Sequence, residues 1–226
     1  MLHRIAFIAL LLSGSVAGAA PGEGAPLRDP VRVAEREALR VGIRAVTVVV
    51  RRRGALPKGM WSPGGGVSEG HGWWAGAGRV VTAAVVGQGW PVGPADVIEV
   101  ELADGARYPA AVGVSEAALG LMVLDVPGLP PPPRVMEAAV SDPDVSPGRP
   151  LYAADGSGLL HRMVVGRAGD GQHAYYWRLG GWLAPGTPLF DGRGRITSMV
   201  GRMGDGEALA LPAKALRALL ERDDWR

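Results

Sequence analysis

The sequence predicts an all-β chain of two β modules, with one helix before them and one after. Short apolar runs, many of them alternating or β-branched, recur along the 226 residues between turn signals, a pattern typical of a sandwich or a barrel. The stretch GLPPPP at residues 128–133 divides the series near its middle, where a proline run forms a stiff spacer. Helical spacing of apolar residues is confined to the two ends. Two β modules joined by a rigid link are therefore expected.

Residues 1–20 have the pattern of a secretory signal peptide. Arg4 provides a basic start, and the apolar run at residues 5–12 is too short to span a bilayer. The small residues at positions 17–19 predict cleavage after Ala19 or Ala20, which would make the protein secreted or periplasmic. An uncleaved membrane anchor is the alternative. The chain contains no cysteine, so disulfides and a lipoprotein anchor are excluded and the fold depends on its core.

A basic helical segment is predicted at residues 21–44. Asp29 is a suitable N-cap and Pro30 suits the first helical position. We expect the helix to run from Val31 to about Val41 and to end near Gly42, because glycine commonly follows the last helical residue.

Arginine recurs every fourth residue in this segment, at Arg28, Arg32, Arg36, Arg40 and Arg44. The favoured interpretation is a solvated face, because charge runs usually face water. The alternative combines the stripe with Arg51, Arg52 and Arg53 into a site for anionic lipid or an acidic partner. The formal net charge of the whole chain is only +2, so its composition does not indicate nucleic-acid binding.

The first β module is predicted at residues 45–126. It begins with the β-branched run at 46–50 and includes a hairpin at 97–114, which turns at Asp104 and Gly105. The uniformly apolar run at 121–126 predicts a buried strand.

The second β module is predicted at residues 135–226, after a proline-rich linker at 127–134. It contains a hairpin at 189–200, with its turn at 191–194, and a last strand at 209–211. A C-terminal helix begins at Pro212 and carries Leu216, Leu219 and Leu220 on one face.

Three segments resemble the catalytic motifs of trypsin-like serine peptidases, in the order that the family has them. VVTAAVV at residues 80–86 is similar to the family's VVTAAHVV, LGLMVL at 119–124 to TDLAVL, and LAPGTPL at 183–189 to GNSGGPL. In that register Val85 stands at the general base, Gly120 at the acid and Pro185 at the nucleophile. The neighbouring residues match the family, whereas the catalytic positions do not.

Further segments are similar to peptidases of the HtrA/Deg type: LADGARYPA at residues 102–110, SPGRPLY at 146–152 and LALP at 209–212. The resemblance implies two six-stranded β-barrels of the chymotrypsin fold with a cleft between them, and a bacterial source. It also leads us to expect no PDZ domain after the final helix.

The replaced residues predict a loss of peptidase chemistry. A serine nucleophile requires a histidine base and a carboxylate that orients it; Val85, Gly120 and Pro185 supply none of these groups. Proline also lacks the backbone N–H that the family's nucleophile residue contributes to the oxyanion hole. The second oxyanion donor would come from Leu183, whose side chain crowds a position that the family gives to glycine.

Other residues offer weak substitutes for the triad. His71 lies in a glycine-rich stretch that predicts a loop, and the remaining candidates are His161, His173, Ser157, Ser198 and Asp125. We expect none of them to rescue catalysis. His161 and His173 fall away from the family's base position. Ser157 lies in a turn that lacks the G-x-S-x-G elbow, and Asp125 points to the opposite face of its strand from Gly120. The chain has no His-Glu-x-x-His motif, no cysteine ligand and no spaced histidine pair, so neither a metal nor another cofactor is expected.

Tryptophans near the expected cleft suggest how the protein could bind. Trp177 and Trp182 flank the loop that would carry the nucleophile, with Arg178 between them, while Trp73 and Trp74 precede the strand that leads to position 85. Core packing is the favoured role for each ring, and an aromatic lining of the cleft is the alternative.

The resulting hypothesis is a secreted or periplasmic pseudoprotease that binds a peptide or protein partner by strand addition. Two alternatives stay open. One is an active trypsin-like endopeptidase with a non-standard catalytic set, and the other is an envelope protein that binds anionic surfaces through its arginines.

Overall fold

The computed structural model describes residues 33–54, 66–84, 96–116, 120–133, 148–154, 159–168, 177–179, 183–204 and 207–220. Within these residues, twelve antiparallel strands form two closed six-stranded sheets, preceded by helix α1 and followed by helix α2. The structure therefore confirms the prediction of an all-β fold with two barrels and a helix at each end. Neither helix of the described residues is long and apolar enough to cross a membrane.

The two barrels share one strand order. The first consists of β1 Thr47–Arg53, β2 Val67–Gly76, β3 Arg79–Ala83, β4 Val97–Glu101, β5 Arg107–Glu116 and β6 Leu121–Asp125. The second consists of β7 Pro150–Ala154, β8 Leu160–Ala168, β9 Trp177–Leu179, β10 Pro188–Phe190, β11 Ile196–Gly204 and β12 Glu207–Pro212. Around each barrel the neighbours follow the order first, second, third, sixth, fifth, fourth.

The barrels differ at the seam where the first strand meets the fourth. In the first barrel, β1 and β4 pair over five residues, from Val49 opposite Glu101 to Arg53 opposite Val97. In the second barrel, β7 and β10 meet at a single pair, Tyr152 opposite Phe190. Backbone pairing therefore contributes little to the closure of the second barrel.

Helix α1 spans Val33–Val46 and continues past Gly42, so the prediction that it ends there is wrong. Its apolar residues Leu39, Ile43 and Val46 are buried, and this packing outweighs the low helix propensity of one glycine. The hydroxyl of Thr47 donates a hydrogen bond of 2.8 Å to the carbonyl of Ile43. It thereby satisfies one of the carbonyls that a helix end leaves unpaired.

The two predicted hairpins with Asp-Gly turns are present. Between β4 and β5, Asp104 Oδ1 accepts a hydrogen bond of 2.9 Å from the N–H of Ala106. Between β10 and β11, Asp191 Oδ1 accepts from the N–H groups of Arg193 and Arg195, at 2.9 and 3.0 Å. These side-chain acceptors are the local interactions that favour aspartate in turns.

Part of the proline-rich stretch packs against the first barrel. Leu129 is buried in that barrel's core. The N–H of Gly78 donates to the carbonyl of Leu129 at 3.0 Å, and the indole of Trp74 donates to the carbonyl of Pro130 at 3.1 Å. Side chain and backbone thus hold this end of the link to the barrel.

Three groups of buried apolar residues hold the fold together. One lies inside the first barrel, around Val100, and another inside the second, around Leu189. We call the third the shared core, because its residues come from both barrels and both helices. It includes Leu39, Ile43, Trp73, Val81, Leu121, Tyr152, Phe190, Met199, Leu216 and Leu219.

The arginines of β1 form ion pairs within the first barrel. Arg52 is 1% exposed and pairs with Asp96 at 2.5 Å, while Arg51 pairs with Glu69 at 3.0 Å and also with Glu101. Arg53 lies 3.8 Å from Glu99. On α1, Arg40 pairs with Glu37 at 2.6 Å, and Arg28 and Arg32 lie outside the described residues. Binding of anionic surfaces through these arginines stays a prediction.

Candidate functional site

The candidate site is built around residues 183–187, which we call the Pro185 loop. This loop precedes β10 and begins with Leu183, which is buried in the core of the second barrel. Two short-range hydrogen bonds shape it, because the N–H and the hydroxyl of Thr187 both donate to the carbonyl of Ala184, at 3.1 and 2.6 Å. Gly186 has a φ of 84°, which favours glycine at this turn.

The Pro185 loop is hydrogen-bonded to the first barrel through His71. The carbonyl of Pro185 accepts a bond of 2.9 Å from the backbone N–H of His71. The carbonyl of His71 in turn accepts from the hydroxyl of Thr82, at 2.5 Å. Since His71 is on β2 and Thr82 on β3, two neighbouring strands of one barrel contact a loop of the other.

The prediction that His71 lies in a loop is wrong, because His71 is part of strand β2. The glycine that follows it, Gly72, reflects close packing rather than a turn. A Cβ atom at Gly72 would lie 2.7 Å from the side chain of Val80 and 3.1 Å from that of Val48, so only glycine fits between these strands.

The imidazole of His71 is also hydrogen-bonded to the Pro185 loop. Its Nδ1 lies 2.8 Å from Oγ1 of Thr187, and both residues are buried. A hydroxyl has one proton to donate, and that of Thr187 is directed to the carbonyl of Ala184. Nδ1 of His71 must therefore carry the proton and donate it to Thr187, an assignment that follows from the hydrogen-bond network.

Gly186 lets the two barrels approach closely. A Cβ atom at this position would lie 1.8 Å from the carbonyl oxygen of His71 and 2.6 Å from Oγ1 of Thr82. The first of these atoms belongs to the backbone and cannot rotate away. The loop and the first barrel therefore form one rigid junction, in which glycine is required twice, for its φ and for its size.

The structure brings the predicted triad segments together. The carbonyl of Gly120, which has a φ of 67°, accepts a hydrogen bond of 2.8 Å from the N–H of Ala84. Val85 follows Ala84 directly but lies outside the described residues. Because Thr82 contacts Gly186 and Pro185 precedes Gly186, the segments at 80–84, 120 and 183–187 meet at one place between the barrels.

The remaining predicted site residues are less informative. Trp177 and Arg178 lie on β9, which pairs with β8 and β12, and Trp182 is outside the described part of the chain. Ser157 and His173 are outside it as well. His161 is on β8, opposite Ala153 of β7, and Asp125 ends β6, opposite Arg79 and Ala111.

Ser198 does not form a serine–histidine pair. It is fully buried on β11, and its hydroxyl oxygen has no hydrogen-bond partner. In the part of the chain that the structure describes, no group of three or more histidines and carboxylates could hold a metal ion.

Beside the Pro185 loop, part of one side of β11 has no partner strand among the described residues. β11 extends over nine residues, but β10 pairs only with its first part, from Ile196 to Met199. The Pro185 loop then bonds to both backbone groups of Val200, through the N–H of Gly186 at 2.7 Å and the carbonyl of Thr187 at 2.9 Å. At residues 201–204, β12 pairs with one side of β11, and no described strand pairs with the other.

Sequence reasoning missed the junction between His71 and Thr187. The two residues are 116 positions apart, and neither belongs to a motif that marks it as a partner of the other. No family model matches this chain, and no curated protein matches it in sequence. The resemblance to trypsin-like peptidases therefore supplies a hypothesis that the site itself has to support.

Proposed function

We propose that this protein is a catalytically inactive relative of trypsin-like peptidases that binds an extended peptide segment without cutting it. The two barrels with one strand order, and the meeting of the three triad-like segments between them, support this scaffold. The observation that carries the proposal is the side of β11 at residues 201–204 that pairs with no described strand, next to a Pro185 loop that lacks catalytic groups.

An open strand edge has a direct use in binding. Its unpaired N–H and C=O groups can form a ladder with an added peptide strand, and neighbouring pockets select the side chains. At residues 201–204 of β11, an added strand would continue the sheet on the side opposite β12. A partner with an exposed, extended segment is the chemistry that this edge would recognise.

The Pro185 loop supports binding without cleavage. Pro185 has neither a nucleophilic group nor a backbone N–H for an oxyanion hole. Its carbonyl is bonded to His71, so the loop cannot turn to present other groups without breaking the junction between the barrels.

An active enzyme is the second candidate, because Thr187 and His71 form a hydroxyl–imidazole pair. The proton directions oppose this function. A general base must accept the proton of the nucleophile, whereas Nδ1 of His71 donates to Thr187 and the threonine proton is used by Ala184. Thr187 is also completely buried, so a substrate carbonyl has no access to it.

We also propose that the protein is exported, on the basis of its leader-like residues 1–20. N-terminal sequencing of protein recovered from outside the cytoplasm should begin at Ala20 or Pro21. An N-terminus at Met1 in that fraction would contradict cleavage and favour the uncleaved anchor.

Activity is tested by treating the purified mature protein with a fluorescent fluorophosphonate beside a casein digestion. We expect neither labelling nor cleavage. A labelled serine, or cleavage that disappears in the Thr187→Val variant, would overturn the assignment as an inactive scaffold.

Binding is tested by selecting ligands for the immobilised protein from a library of displayed peptides. Hydrogen exchange is then measured with and without the selected peptide. We expect the peptide to slow exchange at residues 201–204, while the amides of β4 and β5 in the first barrel serve as the internal control. Protection confined to another region would show that the edge of β11 is not the binding site.

A further inference from the structure

We propose that a second site, separate from the edge of β11, binds the zwitterion of a small aliphatic amino acid. The site is a pocket of about 310 Å³ between the end of α1 and the turn of the β4–β5 hairpin. We call it the hairpin pocket; its lining residues include Arg44, Thr47, Val49, His71, Glu101 and Asp104. This inference goes beyond the proposed function, because the pocket lies on the first barrel and requires no peptide.

The charges of the hairpin pocket point to a ligand that carries both signs. Arg44 on α1 and Asp104 in the hairpin turn line the same pocket, yet neither has an ion-pair partner among the described residues, and they do not pair with each other. A molecule with a carboxylate and an ammonium group can pair with both at once. It would thereby provide ion-pair partners for two exposed side chains that have none among the described residues.

The third charged residue of the hairpin pocket is already neutralised. Glu101 accepts hydrogen bonds from Arg107, at 2.7 Å, and from Arg51. Burial works to raise the pKa of Glu101, but the bonds from Arg107 and Arg51 outweigh it and hold that pKa below its ordinary value. The free positive and negative charges of the pocket are therefore one each.

The base of the hairpin pocket is rigid. The ring of His71 is 7% exposed and is fixed by its hydrogen bond to Thr187. The hydroxyl of Thr47 donates to Ile43, so its oxygen can only accept a further bond. A site whose groups are held before binding loses less entropy when the ligand arrives.

An apolar surface continues from the hairpin pocket beyond its charged wall. Arg44, Ala103 and Asp104 also border a second depression of about 400 Å³, which Val41, Ala45 and Arg40 line as well, with Arg40 paired to Glu37. Val41 is 47% exposed. An amino acid held by Arg44 and Asp104 can place an aliphatic side chain on this surface, which favours leucine-like ligands over glycine or acidic residues.

The experiment is a calorimetric titration of the mature protein with L-leucine, glycine, N-acetyl-L-leucine and L-leucinamide. We expect leucine to bind best, and removal of either charge from the ligand to weaken binding by about tenfold or more, the scale for one charged hydrogen bond. The NMR signals of the His71 ring should shift with leucine.

Variants locate the site. Arg44→Gln and Asp104→Asn should each weaken leucine binding by about tenfold. The asparagine retains the oxygen that accepts from Ala106, so the turn is preserved. Arg36→Gln, an exposed position on the same helix that does not line the pocket, is the matched control and should bind leucine as the wild type does.

Three results would overturn the proposal. The first is that leucine does not bind at millimolar concentration. The second is that N-acetyl-leucine binds as tightly as leucine, and the third is that Arg44→Gln and Asp104→Asn leave leucine binding unchanged. Circular dichroism of each variant verifies that it is folded. Because the test uses neither peptide nor protease substrate, its failure would leave the function proposed for β11 unaffected.

Discussion

The two barrels have the same strand order but are closed in different ways. The seam of the first has five paired residues, and the ion pairs of Arg51 with Glu101 and Arg53 with Glu99 cross it. The seam of the second has one backbone pair, Tyr152 with Phe190, and both of these rings belong to the shared core. The first barrel is thus closed by its own ladder, whereas the second depends on packing against the first barrel and the helices.

Removing an aromatic ring at the weaker seam should have the largest effect. Phe190→Ala takes a fully buried ring out of the shared core, and we expect a loss of about 3–5 kcal/mol in the free energy of unfolding. Urea denaturation measures the loss, and hydrogen exchange should speed up most in β7 and β10. Val100→Ala, inside the first barrel only, is the control. Equal exchange in both variants would contradict the difference between the seams.

The Gly186→Ala variant tests the junction between the barrels independently of the two seams. The added methyl group would collide with the backbone oxygen of His71, at a φ of 84°, so we expect a cost of about 2–3 kcal/mol. Gly105→Ala is the matched control, because Gly105 has a φ of 87° and a methyl group added there would meet no atom within 4 Å. It should cost only about 1 kcal/mol. Similar costs for the two variants would show that the contact with His71 is loose.

The hydrogen bond between the barrels should have an intermediate effect. Thr187→Val leaves the buried Nδ1–H of His71 without its acceptor, and we expect a loss of about 1–2 kcal/mol. Thr187→Ser retains the hydroxyl and should restore most of that loss. Urea midpoints compare the variants, and NMR of the His71 ring should show the Nδ1 proton only where the hydroxyl is present. A valine variant as stable as the serine variant would count against the bond.

The ion pairs of the first barrel should have the smallest effect, and one that depends on pH. The pKa of Glu101 is held below its ordinary value in the folded state. The stabilisation that the Glu101 carboxylate contributes is therefore fully present at pH values above the ordinary pKa, and it is lost as the pH falls through the folded pKa. In Glu101→Gln we expect a flatter profile of urea midpoint against pH, below about pH 5. Coinciding profiles for variant and wild type would contradict this coupling.

Local chemistry made much of the fold predictable. The turns at Asp104 and Asp191 are stabilised by their own side chains, and the apolar runs at 121–126 and 209–211 need only burial to be recognised. The prediction failed where tertiary packing overrides local preference. Gly42 lies inside α1, where the burial of Leu39, Ile43 and Val46 outweighs its low helix propensity. Gly72 lies inside a strand, where Val80 and Val48 leave room only for a small residue.

The candidate site was only partly predictable for the same reason. Motif spacing located Gly120 and the Pro185 loop, which the structure brings into one region. It could not indicate that Thr187 and His71 bond to each other, since their proximity results from the packing of one barrel on the other. The hairpin pocket also combines a helix with a turn that lies far along the chain.

The shared core joins the first and last helices of the described chain, because Leu39 and Ile43 of α1 belong to it together with Leu216 and Leu219 of α2. Such contacts between distant parts of a sequence make folding slow. A growing chain cannot complete this core until α2 has been synthesised, so the core remains open up to that point. Synthesis of α2 is therefore the event that permits this core to close.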